Sequence, residues 1–496
     1  MKRFISKYWI LMAAALFLLL HVPFLQADPP DKVSWSRGPW TDEGIYLGQL
    51  RNAINHGHLD INESDCVAKT PLFNLMMYPV LKVFGTNWMV ARLFVLLATL
   101  FTFAFLLFRS KRSWAWIASI LLLGSQFYVF QYAHFAQAEL LQCDFILLAL
   151  FFFIRIGNDA DLKSRNYGNI FLSCLFIAFS YYTKISSLYL ILVVPAGLFL
   201  HFILAFWFDK TDWKRRLMQV LASIGFTIFF ALIYYACWYL PFKDTFELFN
   251  ENELSSVTGF EFSMSDYFRL FPFNHSVLMK DKSLFLYILL TEISIIGILV
   301  LSALKIKGKK KDKNLFPLLF IGFWLLLEMH KFGYHYLPQR YLIFTILAAS
   351  CLAGFVFQAI LKQHKIIGGI FLFLLIFVVG NNVRFYADSY LNRHYEIKAM
   401  NDYLGNYNLS NETIIGPWAP TATWVCRAKT IPIWRDYYYH EDPINRFHPR
   451  IIISELDETD SDSAYSKMNV HLKEISDSSR QYNINLWKPV VYWLKK

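Results

Sequence analysis

The chain has 496 residues, of which 56% are hydrophobic and 18% aromatic, and its formal net charge is +11. A soluble globular protein cannot bury this much apolar surface, so the composition excludes that class and predicts a protein with many segments in a lipid bilayer. The basic residues fall in short clusters between apolar runs, which is typical of membrane topology signals, so we expect no nucleic-acid partner.

Apolar runs of bilayer-spanning length follow one another along the chain. A scan for stretches of about 17 to 25 apolar residues predicts about eleven spans. The predicted spans cover residues 8–25, 88–108, 114–132, 143–157, 170–183, 188–208, 217–240, 283–304, 315–330, 340–361 and 366–385. Basic residues precede the first span and follow each even-numbered span, as in cytoplasmic loops. The remaining loops therefore face the outside, and we expect a bacterial inner membrane with these loops in the periplasm.

The composition changes after residue 385. The segment that follows is polar and contains two strand-like runs, Thr413–Gly416 and Ile451–Ile453, with helix-compatible stretches between them. We therefore predict a mainly α-helical transmembrane domain over residues 1–385, with outer interfacial helices, and a small outer α/β domain over residues 386–496. Cys66 and Cys426 both lie on the predicted outer side, where a disulfide between them would join the two parts.

Two adjacent carboxylates, Asp42 and Glu43, lie in the first outer loop. Apolar and aromatic residues recur after them at helical spacing, which predicts an interfacial helix. These residues are Tyr46, Leu50, Ala53 and Ile54. Carboxylates at the N-terminus of such a helix stay ionised, and an ionised carboxylate beside the lipid is suited to act as a general base. The alternative is that Thr41 or Asp42 only caps the helix.

Cations collect on the same predicted side. Lys69 stands before Thr70-Pro71 at the end of the first loop, where a compact charge suits a phosphate headgroup, although a lysine snorkelling from a helix end has the same pattern. Further candidates at a similar predicted depth are Lys184, Lys331, His335 and Arg340. Nearby tyrosines leave open that Lys331 and Arg340 are interfacial anchors, and Lys331 is favoured over His335.

Several short motifs occur in a fixed order over about residues 1–350. They are Asp42-Glu43-x-x-Tyr46, Lys69-Thr70-Pro71-Leu72, Leu81–Gly85, Arg92-Leu93, Glu139-Leu140-x-x-x-Asp144, Thr183-Lys184 and Lys331-x-x-x-His335. Together they resemble the C-type superfamily of integral membrane glycosyltransferases, in particular the protein mannosyltransferase and lipid A aminoarabinose transferase group.

The resemblance implies an enzyme that transfers a sugar from a polyprenyl-phosphate carrier to a lipid, glycan or protein acceptor at the outer membrane face. In this assignment Asp42 is the general base, Glu43 supports it and Asp144 is a second acidic site residue. Tyr46 and Glu139 are further candidates, with Glu139 the alternative to Asp144. Inverting sugar transfer needs one carboxylate to accept a proton, and a departing lipid phosphate needs positive charge, which we assign to Lys69, Lys184, Lys331 and Arg340.

The sequence also departs from the aminoarabinose branch. Ala68 stands before Lys69 where that branch has an acidic residue, and Phe249–Leu254 replaces a Glu-His motif. We therefore predict no required metal ion. Asp28, Asp31 and the cluster at 250–253 remain candidate ligands for a divalent cation, although their spacing matches no metal motif.

Two other functions compete with sugar transfer. A transporter or flippase for a lipid-linked glycan places ionisable residues near the membrane midplane in paired halves, whereas this sequence concentrates them at one face. A polymerase acting on a lipid-linked glycan would lack the Asp42-Glu43 loop. In the C-terminal domain, Trp418, Trp424 and Trp434 are suited to stack on a sugar, but filling a small core is the favoured interpretation.

Overall fold

The computed structural model describes residues 2–110, 113–158, 163–208, 213–253, 264–308, 316–335, 337–434, 438, 441–455, 465–466 and 468–495. Parts of three predicted basic loops, at residues 111–112, 209–212 and 309–315, lie outside the described residues. The side chains of residues 250–253, which are candidate ligands for a divalent cation, also lie outside this description.

Most of the described chain is helical, as predicted. In chain order the helices are α1 (Lys2–His21), α2 (Gly38–His56), α3 (Cys66–Lys69), α4 (Pro71–Phe84), α5 (Trp88–Arg109), α6 (Trp114–Ser125), α7 (Phe127–Tyr132), α8 (Ala138–Asn158), α9 (Lys163–Thr183), α10 (Val193–Phe208), α11 (Trp213–Tyr234), α12 (Lys243–Glu253), α13 (Met264–Lys280), α14 (Phe285–Gly308), α15 (Phe316–Glu328), α16 (Ile343–Gln363), α17 (Lys365–Leu391), α18 (Glu396–Gly405), α19 (Ala419–Ala422), α20 (Pro443–Phe447) and α21 (Leu472–Ile475).

Six helical stretches of the described chain are long and apolar enough to cross a bilayer. They are Trp88–Arg109, Ile185–Leu204, Trp213–Leu248, Phe316–Gly333, Gln339–Gln363 and Lys365–Gly405. Shorter apolar helices cover Tyr8–Phe24, Pro71–Phe84, Trp114–Ser125 and Phe285–Ile298. The prediction of an integral membrane protein is confirmed, while the count of about eleven spans stays a prediction.

The third predicted span, 114–132, is interrupted. Gln126 has an extended backbone with φ −67° and ψ 131°, so α6 ends before it and α7 begins after it. The Gln126 side chain accepts a hydrogen bond of 3.0 Å from the backbone N–H of Val129 and so caps α7. The apolar composition of this run does not predict the break, because composition does not specify the backbone conformation of a single residue.

Helix α16 forms the centre of the bundle. Nearly all of its residues are buried, and helices α6, α14, α15 and α17 pack around it. Gly354 permits the close contact with α6, since a Cβ at this position would lie 2.9 Å from the backbone nitrogen of Ser119. On the other side of the bundle α8 packs between α5 and α9, so the bundle core is continuous.

Helix α2 differs from the predicted interfacial helix. Every residue from Gly38 to Asn52 except Tyr46 is buried, so α2 is enclosed on almost all sides and does not lie open at a lipid surface. The helix begins at Gly38, with Arg37 at the N-cap position. Neither Thr41 nor Asp42 therefore caps it, and the capping alternative is wrong.

The C-terminal segment contains a five-stranded sheet with the order β2-β1-β3-β5-β4. Its strands are β1 (Thr413–Ile415), β2 (Lys429–Ile431), β3 (Ile451–Glu455), β4 (Ser476–Gln481) and β5 (Pro489–Leu494). The first three strands are parallel, and β5 is antiparallel to β3 and β4. The predicted small sheet is confirmed, and the two strand-like runs coincide with β1 and β3. The domain boundary after residue 385 stays a prediction.

The C-terminal segment is attached to the first loop without a disulfide. Cys66 and Cys426 are both buried free thiols, so the pairing considered for them is not formed. Asn52 instead donates to the carbonyl oxygen of Thr430 over 2.8 Å, and Lys429 lies 2.9 Å from the Glu63 carboxylate. Hydrogen bonds and ion pairs therefore hold the two parts together.

Candidate active site

One buried network joins half of the residues proposed for the site. The Tyr46 hydroxyl, one helical turn from Asp42, lies 3.4 Å from Asp42 Oδ2 and 3.5 Å from Glu139 Oε1. The Lys184 ammonium donates to Tyr46 Oη and to Glu139 Oε1, each over 2.6 Å. The Arg340 guanidinium donates to Asp42 Oδ2. We call these five residues the Asp42 network.

Four separate elements supply the network. Asp42 and Tyr46 lie on α2, and Glu139 is the second residue of α8. Lys184 follows α9, where Gln142 fixes the turn by donating to the Lys184 carbonyl oxygen over 2.6 Å. Arg340 lies in the 3-10 turn Gln339–Leu342 that leads into α16. These helix ends meet at one end of the bundle, which the charge pattern predicts to be the outer one.

Gly38 makes room for the arginine. A Cβ at this position would overlap the Arg340 guanidinium and lie 3.0 Å from Asp42 Oδ2. A side chain at position 38 would therefore force the Arg340 guanidinium to shift from its place beside Asp42.

Charges in the network balance, with two carboxylates facing two cations. Burial raises the pKa of the Asp42 carboxyl, while the nearby Arg340 and Lys184 charges act in the opposite direction. Burial and the two carboxylates raise the pKa of the Tyr46 hydroxyl well above its usual value, so this group stays protonated. The Lys184 and Arg340 side chains keep 14% and 12% of their surface exposed.

Glu43 faces away from this network. Its carboxylate accepts two hydrogen bonds from Arg92, at 2.8 Å from Nε and 2.6 Å from Nη2, and a third from the backbone N–H of Ala136 at 2.5 Å. Arg92 also donates to the carbonyl oxygen of Ala27 over 2.7 Å. The pair thus connects α2, α5, the first loop and the turn before α8.

The cations Lys69 and Lys331 each have a separate carboxylate. Lys69 Nζ lies 2.6 Å from Asp65, one turn earlier, and Asp65 also accepts a hydrogen bond from Tyr438 of the C-terminal segment. Lys331 Nζ lies 2.6 Å from Glu328 and donates to the Tyr341 carbonyl oxygen over 2.9 Å. Lys331 is buried, whereas the Lys69 side chain remains 18% exposed.

Asp144 and His335 also lie apart from the Asp42 network. Asp144 accepts a hydrogen bond of 3.0 Å from Thr99, and its second carboxylate oxygen has no hydrogen-bond partner among the described residues. Five residues separate it from Glu139 on α8, which corresponds to about 7.5 Å along the helix. His335 is exposed. Of the two acidic candidates on α8, the structure brings Glu139 to Asp42.

Two further contacts near the network were not predicted. Arg37, at the N-cap of α2, donates to Glu455 of β3 over 2.5 Å, and Trp418 donates to the same carboxylate. Arg51 donates to the carbonyl oxygen of Pro420, and its guanidinium lies 3.9 Å from the centre of the Trp424 ring. Arg37 and Glu455 are 418 residues apart in the sequence, and Arg51 and Pro420 are 369 residues apart, so no local pattern identifies these partners.

An apolar groove opens beside Lys69. It runs between α2, α4, α9 and the end of α11, and its walls are almost entirely hydrocarbon. Residues lining it include Leu50, Val67, Leu72, Tyr78, Tyr182 and Trp238. The Trp238 indole N–H donates to the carbonyl oxygen of Ala68 over 2.8 Å, which fixes one wall next to the lysine.

The described residues contain no group of three His, Cys, Asp or Glu side chains that could hold a metal ion. Asp28, one of the candidate cation ligands, instead accepts hydrogen bonds from the backbone N–H groups of Glu396 and Ile397 at 2.7 and 3.1 Å. It thereby binds the N-terminus of α18.

No protein-family model and no curated protein sequence matches the chain. Solved structures share its fold at low sequence identity. ArnT from Cupriavidus metallidurans in the apo state superposes with a TM-score of 0.58 at 13% identity over 98% of both chains. ArnT from the same organism bound to undecaprenyl phosphate gives the same TM-score and identity over 97% of both chains. The Archaeoglobus fulgidus oligosaccharyltransferase in complex with Zn and sulfate gives 0.50 at 11% identity, over 90% of this chain and 68% of its own.

The helical bundle and the C-terminal sheet thus have the fold of the ArnT structures and of the Archaeoglobus fulgidus oligosaccharyltransferase, which is the C-type fold. The two ArnT structures align with this chain over nearly the full length of both chains. The resemblance inferred from the motifs is therefore confirmed at the level of the fold.

Proposed function

We propose that this protein transfers a sugar from a polyprenyl-phosphate donor to an acceptor at the outer face of the membrane. The observation that carries the proposal is the Asp42 network, two carboxylates and two partly exposed cations at one end of the bundle. The C-type fold adds support, since one of the two ArnT structures that share it is bound to undecaprenyl phosphate.

In this proposal Asp42 accepts the proton of the attacking acceptor group. Burial raises its pKa, which makes it a stronger base, while Arg340 orients the carboxylate and opposes part of that rise. Arg340 and Lys184 stabilise the negative charge that develops on the departing phosphate, and burial strengthens that interaction. Glu139 and Tyr46 position Lys184.

The donor lipid lies, in the same proposal, along the apolar groove. An isoprenoid chain needs a hydrocarbon surface, and the groove walls supply one that includes Val67 and Pro71, the residues two positions before and after Lys69. Lys69 then contacts the phosphate, exchanging part of its ion pair with Asp65 for the ligand. The sugar end extends from there to the Asp42 network.

The test is release of polyprenyl phosphate from a panel of polyprenyl-phosphate sugars by purified protein in lipid nanodiscs. We expect Asp42→Asn to lower the rate by about 10²- to 10⁴-fold, the usual contribution of a general base. Asp402→Asn is the matched control, because Asp402 is an exposed carboxylate paired with Lys398 on α18. We expect it to leave the rate unchanged.

A rate that Asp42→Asn leaves intact would remove Asp42 from the chemistry. Absence of release by the wild type with every donor and acceptor, together with transbilayer movement of the lipid, would instead assign the protein to the flippase class.

A further inference from the structure

The short helix α19 of the C-terminal segment lies directly on α2, behind the carboxylate of the network. The Thr421 hydroxyl lies 3.3 Å from the Trp40 carbonyl oxygen and 3.2 Å from the Thr41 carbonyl oxygen, and it can donate to either. These carbonyls belong to the two residues that precede Asp42. All of these groups are buried, so water cannot replace the contact.

Backbone meets backbone at this contact. A Cβ on Gly44 would lie 2.5 Å from the carbonyl carbon of Pro420 and 2.5 Å from the backbone nitrogen of Thr421. Gly44 is therefore the residue that lets α19 approach α2, two residues after Asp42. Such an approach fixes the distance between the two helices more tightly than side-chain packing would.

The other side of Thr421 is held as well. Its carbonyl oxygen accepts a hydrogen bond of 2.8 Å from Asn401 of α18, and the amide oxygen of Asn401 accepts one of 2.9 Å from the backbone N–H of Trp424. Arg51 closes the arrangement from α2 by donating to Pro420. Thr421 is thus fixed relative to the C-terminal segment at one end and to α2 at the other.

We propose that Thr421 is a positioning residue for Asp42, and that the C-terminal segment thereby sets the placement of the carboxylate without touching the reacting groups. The inference rests on the proposed function. Thr421 acts on the first turns of α2, and a displacement of about 1 Å at a reacting group can lower a rate about 10²-fold.

Two neighbouring threonines allow a matched comparison. Thr421 and Thr423 are both buried, but the Thr423 hydroxyl donates to Ala419 of its own segment over 2.8 Å and does not bind α2. Replacing either by valine removes one buried hydroxyl at nearly constant shape. We expect Thr421→Val to lower kcat for sugar release by about 10- to 100-fold with the donor KM unchanged. Thr423→Val keeps the wild-type kcat, and Thr421→Ser restores most of it.

Hydrogen exchange gives a second measurement that does not depend on turnover. We expect Thr421→Val to accelerate amide exchange at residues 42–47 of α2 relative to Thr423→Val, because the restraint on the first turns is lost. Both variants are compared in nanodiscs by thermal unfolding, and if Thr421→Val fails to fold, Thr421→Ala takes its place, since it also removes the hydroxyl and adds no volume.

Equal kcat and equal exchange in the two valine variants would overturn the positioning role while the transferase assignment stands. Lack of turnover in the wild type would remove the proposed function and with it the effect on kcat, and the exchange measurement would still decide whether Thr421 restrains α2. A change in donor KM at constant kcat would also contradict the inference.

Discussion

Two opposing influences act on the pKa of the Asp42 carboxyl. It is buried, which raises its pKa, and it contacts a guanidinium, which favours its ionised form. In the proposed reaction the ionised form is the active one. The rate should therefore fall as the pH falls through the pKa of Asp42.

Arg340 affects the pH at which the Asp42 carboxyl titrates. Arg340 stabilises the ionised carboxylate and so lowers the pKa of Asp42, which means that its removal raises that pKa. We expect Arg340→Gln to move the acid limb of the kcat-against-pH profile to higher pH, in addition to lowering the maximal rate. The measurement is sugar release by the nanodisc-embedded variant over a pH series.

Lys398→Met is the control for that profile. Lys398 forms an exposed pair with Asp402, so its removal changes the net charge by the same amount without reaching the network. An acid limb at the same pH in wild type and Arg340→Gln would show that Asp42 is not the titrating group.

At the scale of elements, α2 separates two neighbouring carboxylates. Successive residues of an α-helix point about 100° apart, so Asp42 faces the network while Glu43 faces Arg92. Adjacent acids in a sequence therefore need not share a role. Here the first belongs to the proposed chemistry and the second joins α2 to α5.

The Glu43–Arg92 pair is buried on both sides, which allows a prediction about stability. Arg92→Met leaves Glu43 in the interior without its cation, and this costs about 3–5 kcal/mol of the free energy of unfolding. Denaturation of the purified protein in mixed detergent micelles measures the loss.

The exposed Lys398–Asp402 pair provides the comparison for that measurement as well. Lys398→Met is expected to change the free energy of unfolding by less than about 0.5 kcal/mol, since solvent screens an exposed pair. Equal losses in the two variants would mean that the burial of the Glu43–Arg92 pair does not matter for stability.

The sequence predicts those parts of the fold that depend on local composition. It does not predict those that depend on contacts between distant residues. The long apolar runs predicted helices such as α5 and α16 because burial in lipid or in the core requires only the local composition. The strand-like run Ile451–Ile453 identified β3 for the same reason. The enclosure of α2 was missed, because it depends on α19, whose contacts no local pattern encodes.

The candidate site shows the same limit. The predicted membrane side, the order of the motifs and the residue types identified Asp42, Lys184 and Arg340 as site candidates. The fold places these three residues together. Periodicity could not choose between Glu139 and Asp144, which lie on the same helix at different depths. The ion pair between Arg37 and Glu455 spans 418 residues of sequence, and only the fold brings it together.

At the scale of the whole molecule, the charge pattern predicts that the Asp42 network and the C-terminal segment face the outside. In a Cys237→Ser background, which removes the exposed native thiol, we expect Asp402→Cys to react with a membrane-impermeant maleimide in intact spheroplasts. Lys214→Cys, at the start of α11, should react only after the membrane is permeabilised. The reverse pattern would invert the topology and place the site in the cytoplasm.

The long separation between α2 and its partners also bears on biosynthesis. Arg51 and Asn52 bind Pro420 and Thr430, which lie 369 and 378 residues later in the chain. At about 5–20 residues per second, translation delivers those partners roughly 20 to 70 s after α2 emerges. During that interval the Arg51 and Asn52 side chains of α2 lack the hydrogen bonds that they form in the complete fold. The contacts that enclose α2 are therefore completed last, after all five residues of the Asp42 network have been synthesised.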